Sequence, residues 1–124
     1  MKTSLMKRDI CKRFGLPVVL SLLAACAAPL SNVELTDTWL GQWTGPEGTL
    51  LLIAGGQGEY EVTVRNLDGP LTFAGHSVAN GIEFERDGTT ELIRATDGPG
   101  TGMKWLTEKK DCLVIRPSEG FCRD

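Results

Sequence analysis

EYEVTV, residues 59–64, places Tyr60, Val62 and Val64 on one side of an extended chain and Glu59, Glu61 and Thr63 on the other. Successive side chains leave a pleated strand in opposite directions, so this period of two marks a β-strand with one face buried. IEFER (82–86) repeats the pattern, with Ile82 and Phe84 opposed to Glu83 and Glu85. TLLLIA (49–54) is apolar throughout, which suits a strand covered on both faces or one at a barrel seam. TTELIRAT (89–96) does not declare its phase.

Turn signals bound these runs on both sides. GPEG (45–48), GGQG (55–58), LDGP (67–70), ANG (79–81), RDG (86–88) and TDGPG (96–100) come at close, fairly even spacing. Short β-prone runs divided by Asn-Gly, Asp-Gly and Gly-rich pairs read as consecutive antiparallel hairpins. TGMKWLTEKK (101–110) breaks the alternation and reads as one short helix or turn before the last strand, DCLVIRP (111–117). EGFCR (119–123) then returns along that strand. The expected fold is all-β: an antiparallel meander of about seven strands over residues 37–124, forming a closed or nearly closed barrel that removes exposed edges. A sandwich is the second choice.

The N-terminus has a different character. Residues 1–15 carry Lys2, Lys7, Arg8, Lys12 and Arg13 against the single acid Asp9, and residues 16–25, LPVVLSLLAA, are uncharged and apolar. A membrane-spanning helix needs about 20 apolar residues. A run half that long, with basic residues before it and small ones after, has the layout of a secretory signal peptide. A buried helix of a cytosolic fold would not set its charges so asymmetrically.

Leu23-Ala24-Ala25-Cys26 resembles the bacterial lipobox, Leu-[Ala/Ser/Thr]-[Gly/Ala]-Cys, at every position. The resemblance implies that Cys26 receives a diacylglycerol, that residues 1–25 are removed as a lipoprotein signal peptide, and that the new amino terminus is acylated. Ala27, in place of the Asp that commonly retains such proteins at the inner membrane, implies sorting to the outer membrane, on its periplasmic face. Two or more acyl chains anchor stably where one does not. Residues 26–36, without a period of their own, then form a lipidated tether to the barrel.

Removal of the signal takes five of the 13 basic residues and one of the 16 acidic ones, leaving eight against fifteen, a formal −7. Acids spread along the whole chain exclude nucleic acid as a partner and oppose electrostatic adhesion to anionic lipid. They suit a solvated surface, or a face toward a cationic protein. Cys11 leaves with the signal and Cys26 is acylated, so Cys112 and Cys122 remain as a pair in an oxidising compartment. A disulfide between them closes a loop of ten residues and contributes about 2.5–3 kcal/mol by chain entropy. A metal site needs more ligands than these, and the sole histidine, His76, is distant in sequence.

Gly41-Gln42-Trp43, followed by a turn and a second apolar run, resembles the opening of the lipocalin and avidin barrels. The resemblance implies that Gly41 and Trp43 serve closure of the barrel end, with a late-strand arginine, here Arg116, stacked on the indole. DGPGTG (97–102) lacks the helix and the Lys-Ser/Thr spacing of a phosphate loop. Its surroundings, Gly100, Thr101, Met103, Lys104 and Trp105, form the candidate recognition surface, the alternative being that Trp105 plugs the barrel mouth. Neither Ser77 nor Ser118 sits in a Gly-x-Ser-x-Gly elbow beside His76. No catalytic residue, metal ligand or cofactor motif is expected. The sequence thus points to a non-catalytic outer-membrane lipoprotein that binds or supports another envelope component. The other readings are an inhibitor of lysozyme or a secreted protease, and a binder of small apolar ligands.

Overall fold

The computed structural model describes residues 31–124, which form one compact unit. The expected signal peptide, the anchor Cys26 and the first part of the tether lie outside the described residues. Eight antiparallel strands follow one another in chain order and close into a barrel: β1 (Gly41–Thr44), β2 (Leu50–Gly56), β3 (Glu59–Asn66), β4 (Gly69–Val78), β5 (Gly81–Arg86), β6 (Thr89–Thr96), β7 (Asp111–Arg116) and β8 (Glu119–Arg123). The strand count exceeds the expected seven because EGFCR is a full strand, paired with β7 and closing on β1 through Thr44 and Cys122.

Local sequence explains the meander. The β5–β6 hairpin turns on Asp87-Gly88, both at positive φ (53° and 77°), a backbone that glycine adopts without strain and Asp tolerates. Within each strand the period of two selects the interior. Tyr60, Val62 and Val64 point in, as do Ile82 and Phe84. In β2 the apolar run resolves into buried Leu51 and Ile53 with Leu52 exposed between them. The ambiguous β6 points Glu91 and Ile93 inward, and the buried charge is what hides its phase.

Trp39, Trp43, Ile53, Ile82, Ile93, Leu113 and Phe121 belong to one continuous interior cluster. Each such side chain contributes about 1.5–3 kcal/mol on removal from water. These inward-facing side chains occupy the barrel interior.

One boundary moves. Residues 31–36, expected in the tether, begin the folded unit as helix α1 (Asn32–Asp37). Ser31 accepts the Glu34 N–H at 3.1 Å while Glu34 accepts the Ser31 N–H at 3.0 Å, a reciprocal capping box that satisfies two otherwise orphaned donors. The Ser-x-x-Glu spacing was present in the sequence.

Segment 101–110 forms turns rather than a regular helix. Two 3-10 turns, Pro99–Thr101 and Lys104–Leu106, lie in the long β6–β7 connection. This connection folds over the β7–β8 hairpin, where Met103 and Leu106 pack on Cys112 and Cys122 in a second, smaller cluster. The sulfurs of Cys112 and Cys122, register partners across the hairpin, are 1.97 Å apart and form the expected disulfide. Gly120 admits the cover: a Cβ there would lie 2.5 Å from that of the buried Thr101.

Candidate functional site

Three polar constellations and one exposed loop were candidates for chemistry or recognition. At the helix-capped end, the Tyr60 hydroxyl donates to Asp37 Oδ1 at 2.6 Å and contacts Thr36 Oγ1 at 2.6 Å. Thr36 also donates to Ser77 Oγ at 3.0 Å, and Asp37 accepts the Gln57 N–H at 2.9 Å. Burial, reinforced by the bond to Asp37, raises the Tyr60 pKa above its ordinary value. A tyrosine held protonated and fully engaged has no free group to offer a substrate. It fastens α1 to the barrel.

Beside it, Trp43 donates its indole N–H to the Trp39 carbonyl at 2.8 Å. The arginine over its ring is Arg123, whose guanidinium carbon lies 4.0 Å from the ring centroid. The expected Arg116 is elsewhere. A register irregularity between Val114 and Arg116 precedes it, and its guanidinium donates to Glu91. Arg123 sits two residues after the inward-facing Phe121 on β8, so alternation points it back toward the interior. Gly41 opens β1 at the surface.

At the opposite rim, Arg86 donates both terminal nitrogens to Glu119 at 2.8 Å and also reaches Glu91 Oε2 at 3.1 Å. Glu91 is 5% exposed. Burial pushes its carboxyl upward, but the bonds from Arg116 and Arg86 outweigh that and hold it below the usual carboxylate range. Two cations and two anions compensate one another, and no buried side-chain polar atom among the described residues lacks a partner. The cluster bars the rim and presents no reactive group.

His76 is half exposed, 3.2 Å from Glu83. Ser77 is engaged by Thr36, and the Ser118 hydroxyl faces the Gly102 carbonyl, so neither serine meets the imidazole. Among the described residues no group of three His, Cys, Asp or Glu side chains is placed to hold a metal ion. No helix among them is long and apolar enough to cross a membrane.

The candidate recognition loop divides. Thr101 is buried, donating to the Gly98 carbonyl at 2.6 Å, and Met103 is half-buried against the disulfide, its sulfur accepting the Gly120 N–H at 3.2 Å. Gly100, Lys104 and Trp105 face solvent. Trp105 is 72% exposed and does not plug the barrel. It borders an open groove of about 480 Å³ shared with Thr44, Pro46, Leu106, Lys109 and Arg123. Sequence reasoning missed Lys109 and Arg123 as groove residues, because the groove exists only once β8 closes beside β1. Comparison with known protein families, curated proteins and solved structures finds no match to this chain.

Proposed function

We propose that the chain is a non-catalytic, lipid-anchored outer-membrane protein. Its barrel faces the periplasm and binds another envelope component through the loop bearing Trp105. The anchor reading rests on Leu23-Ala24-Ala25-Cys26 behind a basic and then apolar segment.

The binding reading rests on the exposure of Trp105 beside residues packed on the disulfide hairpin. Thr101, Met103 and Leu106 are packed on the disulfide hairpin, so the neighbouring indole is held out to water at little ordering cost. Rigid, exposed tryptophans are disproportionately the anchors of protein contacts. The test is crosslinking in intact envelopes followed by affinity capture. A protein captured by the wild type and lost with Trp105→Ala supports the reading, and an unchanged set of captured proteins rejects it.

A second reading, an inhibitor of lysozyme or a secreted protease, draws on charge. Glu59, Glu61, Glu83 and Glu85 share the outer faces of β3 and β5, a field that would steer a cationic enzyme. Undiminished lysozyme and protease rates with micromolar domain present would end it. The packed interior weighs against the third reading, a small apolar ligand, because such sites commonly need roughly 300 Å³ or more of concave space.

A further inference from the structure

We propose that the free edge of β4 pairs with the same edge of a second copy of this chain, joining two barrels by an antiparallel β4–β4 contact. Gly69–His76 of β4 pair in register with β3, but only Gly75–Val78 pair with β5. Residues Gly69–Ala74 have a neighbouring strand on one side alone. At the same rim Arg86, the last residue of β5, donates its fork to Glu119 of β8, which ties the end of β5 to the β7–β8 hairpin rather than to β4.

One hydrogen bond orients the free edge. Ser77 donates its N–H to the Gly58 carbonyl at 2.9 Å, so its backbone groups address the β3 side. Alternate residues of an antiparallel strand address opposite neighbours, and the β3–β4 register runs unbroken from His76 to Gly69. Thr72 and Ala74 therefore aim both N–H and C=O out of the free edge, and Pro70 aims its C=O.

Within Gly69–Ala74 the residues aimed outward are Pro70, Thr72 and Ala74, so a two-fold axis that pairs them falls at Thr72. An axis there sets Thr72 opposite itself and Pro70 opposite Ala74, whose N–H meets the proline carbonyl. The pairing forms about four backbone hydrogen bonds. It also sets Leu71, 58% exposed, opposite the half-buried Phe73 of the other copy. Charge favours a like partner at this place. Edges are ordinarily guarded by charged side chains, prolines or bulges; Pro70 removes one donor from this edge, but Gly69–Ala74 contain no charged residue in a domain with a surplus of acids. Two acidic copies meet here without like charges face to face.

The experiment is sedimentation velocity on residues 27–124 at micromolar concentration, independent of the anchor and of Trp105. The wild type is expected at the mass of two copies. Thr72 is exposed, with only a side-chain bond to Thr63, so substitution there spares the fold. Thr72→Lys and Thr72→Glu each oppose like charges across the axis, and each is expected to halve the mass. Mixing the two variants restores the two-copy species, and Glu61→Lys, off the edge, leaves it intact. A wild type at the mass of one copy, or charge variants that keep the two-copy mass, overturns the proposal.

Discussion

Arg123 lies over Trp43 with 4.0 Å between guanidinium carbon and ring centroid, joining the last strand to the first across the seam where the barrel closes. The seam needs this, because β1 and β8 share a single register pair, Thr44 and Cys122. A cation over an indole face contributes about 0.5–2 kcal/mol, more as water is excluded. Arg123 also donates to Asp111 at 2.8 Å, which fixes the fork in place.

Arg123→Ala is therefore expected to lower the unfolding free energy by about 1–2 kcal/mol in urea titration, with a change in the Trp43 fluorescence environment. Arg116→Ala should leave that fluorescence unchanged, since its partner is Glu91 at the other rim. Equal spectral effects from the two substitutions would contradict the seam assignment.

Acid stability is expected to report the rim cluster. The folded-state pKa of Glu91 lies below its unfolded value. Its contribution is thus complete above the ordinary carboxylate range and drains away as pH falls through the folded-state value. Glu91→Gln keeps the shape but removes the charge that Arg86 and Arg116 engage, a loss of about 1.5–3 kcal/mol at neutral pH. The measurement is unfolding free energy against pH. The variant should show a flatter acid limb than the wild type, and an identical slope would remove Glu91 as its source.

Reduction of Cys112–Cys122 should destabilise the domain by about 2.5–3 kcal/mol. Both sulfurs lie beneath Met103 and Leu106, so thiol reagents should reach them slowly until the β6–β7 connection opens. Melting temperature with and without reductant, and the rate of thiol appearance under native conditions, test the two statements separately. Rapid reduction of the folded protein would show that the loop does not cover the bond.

Most of the fold was legible because it rests on local chemistry. Alternation in 59–64 and 82–86, with Gly-containing turns between, is enough to specify consecutive hairpins. Three parts were not legible, for different reasons. The phase of β6 was masked by Glu91, an inward carboxylate whose arginine partners are 5 and 25 residues away in sequence. Trp43's arginine was misplaced because Arg116 and Arg123 both end late strands; those strands are antiparallel, so the two lie at opposite ends of the hairpin, and the sequence does not say which end meets Trp43. The start of the folded unit was set too late, although Ser31 and Glu34 carry the capping spacing. In the candidate loop, composition singled out the segment, but which side chains turn inward depends on the outer face of β7–β8. Nothing in residues 100–105 encodes that face.

That division inside the loop separates binding from stability. Leu106 is 5% exposed beneath the connection, whereas its neighbour Trp105 is 72% exposed. Leu106→Ala leaves a cavity beside the disulfide and is expected to cost about 2 kcal/mol, the low end for a buried leucine because the outer cluster is small. Trp105→Ala removes an indole that packs on little, so its effect on stability should stay within about 0.5 kcal/mol. Paired urea titrations of the two variants decide this. If Trp105→Ala destabilises as much as Leu106→Ala, the indole belongs to the packing of the loop, and loss of crosslinked protein in that variant ceases to report a contact surface.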